Sequence, residues 1–394
     1  MSKQPKKLSP AVLTLGWVSF LSDVASDMIY PLLPTFLTRT LAAGPAALGL
    51  IEGVAEATAS IMKMVSGWWS DRSRRRKPLV VAGYALAATA RPLVGLATSW
   101  LQVLAIRFAD RVGKGMRTSP RDALLADLVP SESRGRAFGL QRAMDNAGAV
   151  GGPLLAALLL KFVFEDERSV FLLAAVPGVA SVLLVAFLVR ETPRPLRPPS
   201  QLVSGPPLSR RFWIAICLFV LFTLANSSDA FLLLKARESG IEIWQIPLLW
   251  ALFNGVKAAA GVPGGVLADK IGRISVIALG WVVYTASYVG FAYVTTAALT
   301  WALFAFYALF SALTEGAERA LVADLAGPGA RGRAFGVFHS ATGLAALPAS
   351  LLFGIWWKAY GPRTAFLLGA GIALVSTAAL LVFRARTKAE GAAS

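Results

Sequence analysis

Residues 101–129 read LQVLAIRFADRVGKGMRTSPRDALLADLV. The first half is apolar enough to enter a bilayer. Yet the stretch carries Arg107, Asp110, Arg111, Lys114, Arg117, Arg121 and Asp122. On a helix of about 3.6 residues per turn, these charges fall within an arc of roughly 140°. An ionised group at the centre of a bilayer costs on the order of a few kcal/mol. The stripe must therefore face protein or water, and the helix needs neighbours that answer its charge.

The rest of the chain supplies a membrane context. Only 15% of the 394 residues are charged, against about a quarter in a soluble protein, and the apolar residues come in blocks. Twelve spans are long enough to cross about 20 residues' worth of bilayer. They lie near 10–37, 45–69, 79–97, 100–128, 135–160, 169–190, 211–234, 245–268, 274–294, 298–325, 332–357 and 363–384. The expected fold is an all-α polytopic membrane protein with twelve transmembrane helices.

The formal net charge of +17 is explained by where the charges sit. Lys and Arg crowd the N-terminal tail, alternate loops, the central linker and the C-terminal tail, and are sparse in the opposite loops. This asymmetry places both termini in the cytoplasm of a cell whose inner membrane holds the chain. It also makes a nucleic-acid partner unnecessary; membrane lipids are the expected partner for the basic loops. The start of the chain lacks the pattern of a cleaved secretory signal. One cysteine, Cys217, excludes an intramolecular disulfide, and one histidine, His339, argues against a metal site. His339 is expected to be an interhelical hydrogen-bond donor.

The chain repeats itself. Arg134-Gly-Arg-Ala-Phe-Gly139 recurs unchanged as residues 331–336. Ala123-Leu-Leu-Ala-Asp127 recurs as Ala320-Leu-Val-Ala-Asp324, Gly67-Trp-Trp-Ser-Asp71 as Gly265-Val-Leu-Ala-Asp269, and Ser26-Asp27 as Ser228-Asp229. The order is kept and the spacing is nearly constant. Residues 191–210 are Pro-rich and basic, as a linker should be. The expected organisation is a six-helix bundle over 1–190, a cytoplasmic linker over 191–210, and a second six-helix bundle over 211–394. The bundles are related by pseudo-symmetry about the membrane normal. Helices 6, 9 and 12 carry no charge in their interiors and helix 3 carries only Arg91, so polar lining is expected from helices 1, 2, 4, 5, 7, 8 and 10.

These features resemble the major facilitator superfamily. Gly67-x-x-x-Asp71-Arg72-x-Arg74-Arg75-Arg76-Lys77 is similar to that family's signature between helices 2 and 3. It departs at Arg74, where the family usually has Gly. The second copy, Gly265 to Gly272-Arg273 through Asp269, fits without departure. Asp27-Met-Ile-Tyr-Pro31-Leu-Leu-Pro34 and Gly148-x-x-x-Gly152-Pro153 resemble the helix-1 and helix-5 motifs of twelve-helix drug/proton antiporters. Arg107 matches the family's intramembrane arginine; Arg111 stands where that family has Gly.

The resemblance implies a secondary transporter working by alternating access, with a small-molecule substrate held between the bundles. Proton-coupled antiport exporting a small organic compound is the expected activity. A proton-coupled importer of an organic anion, suggested by the cations of helix 4, is the alternative within transport. A non-transporting receptor or scaffold is the alternative outside it. No nucleophile or metal constellation supports an enzyme, no nucleotide motif supports ATP drive, and no cofactor is expected. A monomer is expected.

Candidate proton-coupling residues are Asp27, Asp23, Arg107, Glu52 and Glu56. For the two aspartates, a static pairing with helix 4 remains the competing reading. Candidate substrate-cavity residues are Arg111, Lys114, Arg142 and Asp145 in the first repeat. In the second they are Asn226, Asp229, Lys257, Glu315 and Glu318. The cations of helix 4 nearly balance the acids of helices 1, 2 and 4, so internal neutralisation competes with anion binding, and Arg142 and Asp145 are spaced to pair with each other. The resemblance also implies a cytoplasmic latch of Gly67, Asp71, Arg72, Arg75, Gly265, Asp269, Gly272 and Arg273. In it, Asp71 would meet the start of helix 11 and Asp269 would meet helix 5.

Overall fold

The computed structural model describes residues 9–130, 133–191, 207–327 and 330–393, with side chains through residue 387. Most of the expected linker, residues 192–206, lies outside the described residues. Twelve helical rods follow one another, with no strand among the described residues. They are α1 (Pro10–Thr40), α2 (Pro45–Arg72), α3 (Lys77–Leu96), α4 (Trp100–Asp127), α5 (Arg134–Phe162) and α6 (Glu167–Leu188). The second six are α7 (Arg210–Glu238), α8 (Ile243–Ile271), α9 (Arg273–Tyr293), α10 (Ala297–Ala326), α11 (Arg331–Tyr360) and α12 (Pro362–Ala393). Ten are apolar and long enough to cross a membrane. The other two, α2 and α4, have 28 residues each and carry the charges described above. The chain is a multi-pass membrane protein.

Helix starts follow local chemistry. The Ser99 hydroxyl accepts the Gln102 N–H, Asp166 accepts from Ser169, and Ser209 accepts from Phe212, each filling an orphan donor of a first turn. Irregular places are equally local. Pro31 and Pro34 break the α-helical ladder of α1 into 3₁₀ and π turns over residues 30–40. Helix α7 is interrupted between Ala225 and Ala230, with no proline to explain it. Both irregularities follow or contain the repeated Ser-Asp pair, Ser26-Asp27 in α1 and Ser228-Asp229 in α7.

Two compact units result, one of residues 1–30 and 61–202, the other of 31–60 and 203–394. In the first, Val12, Leu15 and Val18 of α1 pack with Val80 and Tyr84 of α3, Leu124 and Leu125 of α4, and Val185 of α6. Small residues let the polar helices approach. A Cβ on Gly148 or Gly152 of α5 would lie 2.6 Å from the Phe20 or Val24 carbonyl of α1, and one on Gly83 of α3 would lie 2.7 Å from the Gly113 carbonyl of α4. Backbone approach of this kind is how membrane helices gain contact where lipid removes the hydrophobic drive. Helix α6 turns Val176 and Phe187 outward, as its charge-free interior requires.

The second unit has an aromatic core. Phe222 of α7 stacks on Trp281 of α9 at 4.3 Å, and Tyr284 on Tyr288 at 4.1 Å. Beyond Arg273, α9 carries no charge; it exposes Leu279, Val282 and Val289 on one side and buries these aromatics on the other. The first half of α2 belongs to this unit. Its Gly49 meets the Ser350 backbone of α11, Gly53 meets Leu347, and Gly354 of α11 meets Pro45.

Candidate functional site

In the first unit, the charged stripe of α4 is organised around one carboxylate. Asp110 is 1% exposed. It accepts from Arg91 Nε of α3 at 2.8 Å and faces Arg107 at 3.5 Å and Arg111 at 3.8 Å, both on its own helix. Arg91 also donates to the Ser22 carbonyl at 2.8 Å and to its hydroxyl at 3.2 Å, tying α3 to α1. The Gly83–Gly113 approach brings Arg91 within reach. A gap of about 10 Å³ beside Ser26, Arg91, Arg107 and Asp110 has room for about one water.

Farther along α4, Arg117 stands 3.9 Å from Asp23 of α1 and 4.2 Å over the Tyr84 ring. Arg121 donates to Ser19 Oγ at 2.8 Å and to Asp122, and lies 3.6 Å from Asp145 of α5. Asp145 also accepts from Gln141 at 3.1 Å. Thus α4 answers Asp23 and Asp145 from neighbouring helices, while Asp27 lies half-buried one turn beyond Asp23. The close approach at Gly148 touches Asp23 Cβ directly, so the helix-5 glycines position the helix-1 acids. Lys114 is half-buried and Arg142 exposed. Glu52 and Glu56, candidates to answer α4, belong to the other unit.

In the second unit, the break in α7 is stitched by side chains from α9 and α10. Tyr284 donates to the Ala225 carbonyl at 2.7 Å, Tyr288 shares a hydrogen bond with Ser227 at 3.0 Å, and Tyr307 donates to Asp229 at 2.7 Å. The Ser228 N–H goes to Ser350 Oγ at 3.2 Å, and its hydroxyl to Glu52 at 3.4 Å. Backbone groups freed inside a membrane need such partners, and interrupted helices are tolerated where they line a cavity.

A cavity of about 290 Å³ opens at this break. Asn226, Lys257, Glu315 and Glu318 line it. Asp229 is engaged behind it with Tyr307. Four phenylalanines, Phe219, Phe222, Phe310 and Phe338, form much of the wall. Sequence reading passed over them because phenylalanine is everywhere in this chain. His339 also lines the cavity, its ring against Phe338 at 5.1 Å. Glu315 takes both nearby cations, Lys257 at 3.7 Å and Arg319 at 2.9 Å. Glu318 makes no ion pair among the described residues; its neighbour on α9 is Trp281. Among the described residues no group of three His, Cys, Asp or Glu could hold a metal.

The repeated loop motifs have a local role that their spacing alone did not reveal. Arg76, at the start of α3, bonds Asp127 at 2.7 Å and lies 3.5 Å from Asp71. In the second copy Arg273 pairs with Asp324 and donates to the Ala320 carbonyl at 2.8 Å. The repeated Ala-Leu-x-Ala-Asp therefore ends α4 and α10 with the partner of the arginine opening α3 and α9. Glu191 caps α3 by accepting the Arg76 and Lys77 N–H groups at 2.7 and 2.9 Å.

The two turns differ. Gly272 alone links α8 to α9, with φ of 89°. Residues 73–76 link α2 to α3 without a positive φ, so Arg74 fits where the family has Gly. A Cβ on Gly67 would lie 3.5 Å from Ser119 Cβ, Arg72 lies 4.0 Å over the Trp68 ring, and Asp269 is exposed.

The sequence profile of the Major Facilitator Superfamily matches residues 15–256 and 235–394. The chain belongs to the Major Facilitator Superfamily. A superfamily relative, an uncharacterized MFS-type transporter of Methanocaldococcus jannaschii, is 36% identical over 387 residues, 96% of each chain. The class E tetracycline resistance protein of Escherichia coli is 25% identical over 373 residues, 87% of this chain and 86% of that one. The nucleoside transporter NupG superposes with a TM-score of 0.79 at 14% identity, covering 95% of this chain and 99% of that one. A bacterial homologue of the human lysosomal transporter Spinster, inward-facing and unoccupied, gives 0.72 at 16% identity, covering 95% of each. These two likenesses show the superfamily fold, and the chain is a superfamily transporter.

Proposed function

We propose that the protein is a proton-coupled antiporter of the inner membrane, with both termini cytoplasmic, that exports a small organic compound. The exported compound carries a positive charge on an apolar or aromatic body. The observation that carries this reading is Glu318, a carboxylate without an ion pair among the described residues, in a cavity walled by phenylalanines. A low-dielectric wall strengthens its attraction for a cation, and the rings add cation–π contact. The drug-resistance relative, named for tetracycline, supports export of an organic compound.

Asp27 is the proton carrier in this reading. It stands one turn from Asp23, whose charge Arg117 answers. Arg107, held by Asp110, sits where a small shift of α4 changes the field at α1. Glu52 and Glu56 lie near the α7 break in the second unit and are the second candidates for coupling. The six-helix repeats over 1–190 and 211–394 rock about the site. The loop residues Gly67, Asp71, Arg72, Arg75, Gly265, Asp269, Gly272 and Arg273 tighten and relax as access changes. Uptake of an organic anion is the second reading. It draws on the α4 cations, but these face Asp110, Asp23, Asp122 and Asp145, so export is preferred.

The test uses proteoliposomes enclosing a pH-sensitive dye under an imposed proton gradient. Amphipathic monocations, organic anions and neutral metabolites are added in turn. The expected result is proton efflux driven by monocations and lost in Asp27→Asn. Proton movement with anions only, or no movement with any pool, contradicts the proposal.

A further inference from the structure

We infer that the turn between α2 and α3 binds the headgroup of an anionic phospholipid. A cavity of about 590 Å³ lies there, lined by Trp69, Ser73, Arg74, Arg75, Pro78 and Leu79. It belongs wholly to the first unit, apart from the α7–α10 cavity. Three observations point to a phosphodiester.

The first is charge. Arg74 and Arg75 are exposed and make no ion pair among the described residues. Their neighbours behave differently: Arg76 is buried between Asp71 and Asp127, and Arg72 lies over Trp68. The two guanidiniums at the cavity are therefore left to an outside anion, and a planar guanidinium fork suits phosphate oxygens.

The second is position. The cavity sits where one span ends at Arg72 and the next begins at Lys77, which is the level of the lipid headgroups. Trp68, 60% exposed, and Trp69, 55% exposed, mark the same level. Below them Ile61, Met64 and Val65 continue an exposed apolar stripe along α2. Their spacing puts them on one face with Trp68, so a chain anchored at the cavity has an apolar track to follow.

The third is the comparison between repeats. The second copy makes the same turn with Gly272 alone and presents no arginine pair there. The longer first turn is not needed to join two helices. The turn supplies Ser73, Arg74 and Arg75, the three polar side chains of the cavity apart from the Trp69 indole.

The test measures the melting temperature of the purified full-length protein in detergent. Dioleoylphosphatidylglycerol, dioleoylphosphatidylcholine and inorganic phosphate are added separately. Phosphatidylglycerol should raise the midpoint by roughly 3 °C more than phosphatidylcholine, and phosphate alone should leave it unchanged. R74A/R75A, at exposed positions, should fold normally and lose the difference. R384A/R386A, which removes equal charge at the end of α12, should keep it. A difference that survives R74A/R75A overturns the proposal. So does an equal shift with phosphatidylcholine, a shift reproduced by phosphate alone, or no shift at all.

Discussion

The two units handle buried charge in opposite ways. In the first, carboxylates are matched to cations within the unit: Asp110 to three arginines, Asp23 to Arg117, Asp145 to Arg121. The gap beside Asp110 has room for about one water. In the second, Glu315 takes two cations, Glu318 takes none among the described residues, and the space beside them holds about 290 Å³. The difference teaches how one repeated fold can divide a task. A matched network holds helices in register and responds to a proton; an unmatched carboxylate in an aromatic cavity responds to a ligand.

The largest effect should come from breaking the matched network. Asp110→Asn leaves Arg91, Arg107 and Arg111 around a neutral amide. Removing one partner of a buried ion pair costs about 3–5 kcal/mol. Folded yield after size exclusion should collapse, and Arg91→Met/Asp110→Leu should recover part of it. A single variant melting within a degree of wild type would remove Asp110 from its central place.

Next is the approach of α1 to α5. Gly152→Val would press against the Val24 carbonyl, and overpacking of this kind costs about 1–3 kcal/mol. A lower melting temperature with weakened proton coupling is expected. Unchanged coupling in a destabilised protein would make the glycine structural only. The smallest effect belongs to Asp71→Asn. Asp71 is 49% exposed and 3.5 Å from Arg76, so its pair contributes about 1 kcal/mol or less to folding. Folded yield should hold while initial transport rate falls by a few-fold. Transport at the wild-type rate would remove Asp71 from the conformational cycle.

Much of this contrast was legible in the sequence. Apolar blocks and repeated polar motifs located the twelve rods, because bilayer thickness and hydrogen-bond demand leave few alternatives. Asn226, Lys257, Glu315 and Glu318 could be singled out because polar side chains in apolar helices need a wet or paired place. Arg91 was harder to see. Alone on an apolar helix, it gains its role only when Gly83 and Gly113 bring α3 against α4. The cations of α4 are expected to answer acids of α1 and α2, yet Arg107 and Arg111 face Asp110 of α4 itself, and Arg91 of α3 joins them. The α7 break carries no Pro or Gly; its local signal is the polar run Asn226-Ser-Ser-Asp229, and Tyr284, Tyr288 and Tyr307 from other helices sustain it. That residues 31–60 pack with the second repeat depends on glycine approaches to α11, which a one-dimensional pattern does not contain.

The most direct test of the contrast is the dissociation constant of a fluorescent styryl-pyridinium monocation for the purified protein. Wild type and Glu318→Gln are compared, with an uncharged styryl-pyridine as control. The account predicts at least about tenfold weaker binding of the cation in the variant, about 1.4 kcal/mol, with the neutral compound unaffected. Equal affinity of the cation for both proteins, or equal weakening of both compounds, would contradict it.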